Sequence, residues 1–257
     1  MSRTVVLRLY RSLLQLSKGV GNTFAIREPL AGANWGTYAS TGIGLDHQTE
    51  LLDRALPGLS VPVPALINAS VFHRAVRDNF KANKELSDPD HISERVDEAF
   101  RAIRMAGEQL QLASCSSSST TDGVTVEVTT VFTKTDTNPY GKTLNYFTYR
   151  VRVINNRLQP IKVLGRAWTV LDHKGQVHLQ MPLDDNAVVG QKPCIPPGTA
   201  FQYHSGLDLE SASGTQSGQL KVVVLGSGDK PTMQIIASIG PLELAAPHFK
   251  HAAAPLG

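Results

Sequence analysis

Ser114-Cys115-Ser116-Ser117-Ser118-Ser119-Thr120-Thr121-Asp122-Gly123 divides the chain into two halves of different character. The run is polar, of low complexity and without apolar periodicity, a composition that suits a flexible linker over 114–122. Before it, apolar residues recur at helical spacing; after it, they alternate with a period of two. That switch predicts an α+β chain with separate domains, helical over 1–113 and β over 123–245, followed by a tail at 246–257. A single cut between 114 and 123 is expected to release two folded pieces.

Upstream of the seam, Val6, Leu9, Leu13 and Leu16 fall at three- and four-residue steps within residues 3–18, the spacing of a short amphipathic helix. Gly19 and Gly21 end it. Residues 19–64 carry Pro57, Pro62 and Pro64 and much glycine, and read as an irregular insertion with a short helix near 49–55. A second helix over about 65–86 places Phe72, Val76 and Phe80 on one face. Ser87-Asp88-Pro89-Asp90 is then a stop and restart, with Asp88 as cap and Pro89 at the first helical position. The third helix, over about 89–112, is expected to bury Ile92, Val96, Phe100, Ile103 and Leu110.

Downstream, Val124, Val126 and Val128 alternate with Thr125, Glu127 and Thr129, and Phe147, Tyr149, Val151 and Val153 alternate with polar neighbours. Five further strand-like runs follow at 161–171, 176–181, 201–205, 219–225 and 232–239, with Asn, Gly and Pro clusters between them. Seven or so short strands in about 120 residues argue for an antiparallel β-sandwich.

Composition excludes more than it includes. Charged residues make up 18% of the chain, which argues against long surface helices laced with salt bridges as the main architecture. Lys+Arg 25 against Asp+Glu 22 leaves +3, so no chain-wide field favours nucleic acid. The longest apolar run, Val222-Val223-Val224-Leu225, is far too short to span a bilayer. Cys115 and Cys194 have no partner at zinc-ligand spacing, and a reducing compartment fits them better than a disulfide does.

No HExxH, GxSxG or P-loop lysine is present, and the histidines are scattered, so no catalytic centre or metal site is expected. Asp184-Asp185 reads as a solvated loop pair. Arg74, Arg77, Lys81 and Lys84, at steps of three and four, share the helix face away from Phe72, Val76 and Phe80. Alone, such a stripe is an ordinary solvated surface; in suitable company it is a docking ridge for an acidic partner.

That company begins with Leu9-Tyr10-Arg11 on the first helix. Together with Arg77-Asp78-Asn79-Phe80-Lys81-Ala82-Asn83 and Asp88-Pro89, it resembles the LYR-motif family of small mitochondrial proteins. The resemblance covers 3–18 and 65–112; the long insertion between the first two helices departs from the family pattern. It implies a three-helix bundle whose tunnel accepts the acyl chain of a mitochondrial acyl carrier protein. The resemblance would have Leu9, Leu13, Val76, Phe80 and Phe100 line the tunnel. Tyr10, Arg11, Arg74, Arg77, Lys81 and Lys84 would dock the acidic carrier and its phosphate. No cofactor is expected on the chain itself; the acyl-4′-phosphopantetheine belongs to the partner.

In the β half, Val188-Val189-Gly190-Gln191-Lys192-Pro193, Ile195-Pro196-Pro197-Gly198-Thr199-Ala200-Phe201 and Gly165-Arg166-Ala167-Trp168 are similar to the ApaG family over about 123–245. That resemblance implies a fibronectin-type-III-like sandwich used as an interaction module. Where family members carry a GxGxxG loop proposed to meet pyrophosphate, this chain has Asp185-Asn186-Ala187-Val188-Val189-Gly190, with two of the three glycines missing. Trp168 reads as a core residue.

Arg3, Arg8, Arg11, Lys18 and Arg27 precede the first acid, Glu28, as in a mitochondrial import signal, with the LYR-like helix retained. The combined expectation is a non-catalytic subunit or assembly factor of the mitochondrial matrix. It would dock acyl carrier protein through its helices and a large machine through its sandwich. The mitochondrial ribosome is favoured slightly over a respiratory complex, with room for peripheral RNA contact. The alternative is a phosphate-ligand or nucleotide-binding protein acting through the ApaG-like half.

Overall fold

In the computed structural model the described residues are 3–19, 24–25, 39–43, 66–67 and 69–246, with side chains described in 3–19 and 69–246. They form two compact units, one of Met1–Pro29 and Asp46–Ala113, the other of Leu30–Leu45 and Ser114–Gly257. The short helix expected near 49–55 and the tail beyond 246 lie outside the described residues.

The first unit contains helices α1 (Arg3–Ser17), α2 (Ala69–Ala82) and α3 (Pro89–Ser114), and a two-stranded pair of β1 (Phe24–Ala25) with β3 (Leu66–Ile67). Leu9 and Leu13 of α1, Val76 of α2, and Val96 and Ala99 of α3 make its core, with Tyr10, Phe72, Phe80 and Ile103 packed at the edge. The α3 start follows the local chemistry. Asp88 Oδ1 accepts from the backbone N–H of Asp90 at 2.9 Å and of His91 at 3.0 Å, and Pro89 opens the helix.

Of the five residues expected to be buried along α3, Val96 is buried, Ile92, Ile103 and Leu110 are half-buried, and Phe100 is not buried at all. Phe100 is 54% exposed, while Ala99 and Ala106 are buried. A step of one residue turns about 100° around a helix, so a face centred on Ala99 and Ala106 swings Phe100 outward.

The second unit is a pair of antiparallel sheets with a shared core. One sheet has the order β2-β10-β6-β5-β4; the other runs β12-β11-β7-β8, with β9 also paired to β7. The strands are β2 (Ala39–Ile43), β4 (Ser116–Thr121), β5 (Val124–Thr137), β6 (Thr143–Asn155), β7 (Ile161–Asp172), β8 (Val177–Met181), β9 (Cys194–Ile195), β10 (Ala200–Leu209), β11 (Ser213–Leu225) and β12 (Pro231–Ala245). Val124, Val126, Val128, Phe147, Val151 and Val153 from one sheet meet Ile161, Val163, Trp168, Leu220 and Val222 from the other. The alternation seen in the sequence is thus the inward face of each strand.

Two segments depart from expectation. The Ser/Thr run is an edge strand, β4, paired with β5 from Ser116↔Thr129 to Thr121↔Val124. Asp122 (φ 47) and Gly123 (φ 79) form the two-residue turn that joins them. Asp-Gly is a strong hairpin signal, because both residues tolerate positive φ. Hydroxyl pairs tie the strands: Ser116 Oγ donates to Thr129 Oγ1 at 3.0 Å, and Thr120 and Thr125 share a hydrogen bond at 2.7 Å. The second departure is β2, inside the stretch expected to be irregular. It pairs with β10 of the sandwich, so one cut between 114 and 123 would not part the two units.

Asn155 locks the turn end of the sandwich. Fully buried, it donates from Nδ2 to the carbonyls of Gln159 and Ile195, each at 2.9 Å, and its Oδ1 accepts from Arg157 N–H at 3.0 Å.

The cap gives a pH-dependent test. The His91 and Asp90 backbone N–H groups hold the Asp88 carboxyl below its ordinary value. Such a depressed acid stabilises the fold above its unfolded pKa of about 3.9 and ceases to do so as pH falls through its folded value. Asp88→Ala should therefore lower the melting temperature of α3 at pH 7. Circular dichroism melts of variant and parent should converge at pH values below the folded-state pKa of Asp88.

Candidate functional site

The three helices of the first unit line a cavity of about 520 Å³ that is open to solvent on one side. Its walls include Leu9, Leu13, Phe72, Val76, Phe80 and Val96, with Ala75, Ala99 and Ala102 where larger side chains would have filled the space. The volume falls in the range of about 300–1,000 Å³ typical of small-molecule sites. Four of the five residues expected to line a tunnel, Leu9, Leu13, Val76 and Phe80, are therefore brought together. Phe100, the fifth, points away from this space and is not in its wall.

Tyr10 flanks the cavity. It is half-buried, and its ring packs on Phe80 with centroids 5.0 Å apart and planes tilted by 56°. Arg11, Arg74, Arg77, Lys81 and Lys84 are all exposed. Arg74, Arg77 and Lys81 lie on the side of α2 away from the cavity, as the spacing requires. Lys84, just past the helix end, continues that stripe, contributes to the cavity wall and pairs with Glu85 at 3.2 Å.

One wall residue carried no signal in the sequence. Glu98 is buried in α3, lines the cavity and accepts from Arg95 Nη1 at 2.7 Å through Oε2. Burial pushes its carboxyl above the ordinary value, against the opposing pull of Arg95 and Arg101.

In the second unit the loop 184–190 sits against β7. A Cβ on Gly165 would strike the Asp184 carbonyl, so only glycine lets the loop close there. Arg166 N–H donates to Asn186 Oδ1 at 3.0 Å, and Arg166 Nη1 donates to the Ala187 carbonyl at 2.6 Å. Some of the loop N–H groups are used internally or on β7. Ala187 N–H reaches the Leu164 carbonyl at 3.0 Å, and Val188 and Gln191 exchange hydrogen bonds at 2.8 and 2.9 Å. Asp185, expected to be merely solvated, pairs with Lys221 at 2.8 Å, which holds its carboxyl below the usual value. These contacts brace the loop.

Trp168 is 2% exposed and stacks edge-on against Tyr149 at 5.3 Å. Among the described residues no group of three or more His, Cys, Asp or Glu side chains could hold a metal ion, and no helix is long and apolar enough to cross a membrane. Cys115 is buried and Cys194 exposed, and neither is in a disulfide.

Known proteins resemble the β unit. The family model described as the ApaG domain matches residues 137–224. Protein ApaG of Shewanella sp. (strain MR-4) is 32% identical over 130 residues, which cover 51% of this chain and 96% of that protein. The chain belongs to the ApaG family. Protein ApaG of Enterobacter sp. (strain 638) is 30% identical over 129 residues, 50% of this chain and 95% of its own. The solved structure of the putative ApaA protein from Bordetella pertussis shares 30% identity, with a TM-score of 0.40, over 48% of this chain and 94% of that one. The ApaG domain thus occupies the β half, and the helical unit with its cavity lies outside the matched residues 137–224.

The two phenylalanines separate wall from surface. Phe80→Ala should lower helical stability measurably, though by less than the about 3–5 kcal/mol of a fully buried ring. Phe100→Ala should change it by no more than about 0.5 kcal/mol. Chemical denaturation followed by circular dichroism at 222 nm reads both (wavelength roughly that of the helix signal).

Proposed function

We propose that this chain is a non-catalytic mitochondrial protein that docks an acyl carrier protein through its helical unit. In this reading the ApaG domain is an interaction module that holds a larger matrix assembly, the mitochondrial ribosome ahead of a respiratory complex. The observation that supports it most is the apolar cavity, walled by Leu9, Leu13, Val76 and Phe80 and flanked by Tyr10. An acyl chain seated there gains about 0.8 kcal/mol for each buried methylene, which a small helical unit with little core of its own needs. The exposed basic stripe suits a carrier with an acidic recognition surface, and Lys84 belongs to both features. The acid-free N-terminal helix agrees with import into mitochondria.

The alternative, a phosphate or nucleotide ligand on the ApaG domain, has less to support it. The Ala187 and Val188 N–H groups of the 184–190 loop are already bonded to carbonyls, and Asp185 places an acid where an anion would approach.

Two measurements test the reading. Intact-mass analysis of the full chain purified gently from mitochondria should find an acidic protein bearing an acylated phosphopantetheine arm. Its absence at low salt overturns the proposal. Combined Arg77→Glu and Lys81→Glu substitution should leave the helix content unchanged and weaken carrier association roughly tenfold. Added salt should weaken the native pair as well, since exposed charges are screened over about 10 Å at 0.1 M. Unchanged affinity of the reversed variant at low salt would make the stripe an ordinary solvated face.

A further inference from the structure

The cavity of the helical unit has a mouth and a closed end. Of its described wall residues only Arg3, Leu7 and Lys84 are exposed, whereas Leu9, Leu13 and Val76 are buried. Three element ends meet at the mouth. The short connection from Ala82 to Pro89 sets α2 and α3 side by side in opposite directions. Gly19, just past α1, lies against Leu110 in the C-terminal half of α3, so α1 runs the same way as α3. The start of α1, the end of α2 and the start of α3 therefore share the open end.

The polar wall residues are Arg3, Asn79, Asn83, Lys84, Arg95 and Glu98. Asn79 Nδ2 donates to the Ala75 carbonyl at 2.9 Å, and Asn83 Nδ2 to the Asn79 carbonyl at 2.7 Å, so both amides turn back on α2. Arg95 is committed to Glu98, to which it donates at 2.7 Å. Lys84 pairs with Glu85 at 3.2 Å, but the two side chains are 64% and 85% exposed, and a surface pair of that kind holds weakly. The Arg3 guanidinium has no ion-pair or hydrogen-bond partner among the described residues. The mouth of an apolar cavity thus carries one uncommitted cation and a second that is only loosely held.

We infer that the cavity also takes a free long-chain carboxylate, with its chain inward and its head group at Arg3, beside Lys84. This rests on the reading of the cavity as an acyl site, but not on a carrier that delivers the chain. The apolar walls suit the hydrocarbon, and a guanidinium at the mouth matches a carboxylate in charge and in its paired donors. Exposed Arg3 and buried Leu13 lie ten residues apart on α1, which gives the space a depth of about 15 Å. The thioester of a carrier-bound chain is neutral and puts no counter-charge next to the hydrocarbon; a free acid does. The two occupants would compete for the same space.

The test uses the full chain and two probes, dodecanoate and its methyl ester, which share a chain and differ in charge. Titration calorimetry should show both binding to the parent. Arg3→Gln should weaken dodecanoate roughly fivefold and leave the ester unchanged. Arg8→Gln, at an exposed position of the same helix outside the wall, should alter neither. Ala102→Phe, which fills the cavity, should weaken both, with circular dichroism confirming that the helices are kept. An Arg3→Gln change that shifts both probes alike or neither, the same effect from Arg8→Gln, or undiminished binding by Ala102→Phe overturns the inference. If neither probe binds the parent, the acyl reading of the cavity falls with it. If both bind and Arg3→Gln spares dodecanoate, this inference falls and the acyl reading stands.

Discussion

Three amphipathic helices that meet through alanine cannot fill the space they enclose, and this shortfall governs the helical unit. Ala75, Ala99 and Ala102 stand where leucine or phenylalanine would have closed a conventional core. Among its described residues a handful of apolar side chains are buried together, grouped around Leu9, Leu13 and Val76. A small core of this kind is marginal by itself. Anything apolar that enters the cavity supplies contacts the helices lack, so occupancy and folding are linked.

The ApaG domain has the opposite economy of structure. Its sheets bring long alternating strands together, and the buried side chain of Asn155 ties one turn end with three hydrogen bonds. The loop that in other family members has been linked to pyrophosphate is here braced by Arg166, Asn186 and the Asp185–Lys221 pair. A domain that completes its own core and ties down its loops is a rigid platform. Such a platform suits presentation of a surface to a partner better than closure around a small ligand.

How much of this was legible in the sequence depended on where the signal lay. Strong alternation, as in Val124-Thr125-Val126-Glu127-Val128, reported the buried face directly, because strand burial has the same period as the side chains. The Asp88-Pro89 cap was equally plain, since its chemistry is contained in a few residues. The Ser/Thr run misled through its composition. Its pairing with β5 is set by the Asp122-Gly123 turn and by hydroxyl pairs across the strands, not by apolar residues. Phe100 misled in a different way: a large side chain outweighs alanine in any search for periodicity, yet Ala99 and Ala106 mark the buried face. The cavity had no local signal at all: it exists only after three distant segments have packed.

The pairing of β2 with β10 has a consequence for the order of events on the ribosome that makes the chain. Ala39–Ile43 leaves the exit tunnel early, but its partner strand begins only at Ala200. At about 5–20 residues per second, the wait is on the order of 10–30 s. In the later part of that interval α2 and α3 are already complete while Ala39–Ile43 still lacks its partner strand. The helices can therefore form before the sandwich does, and pairing β2 with β10 closes a loop of more than a hundred residues, a connection that favours slow maturation.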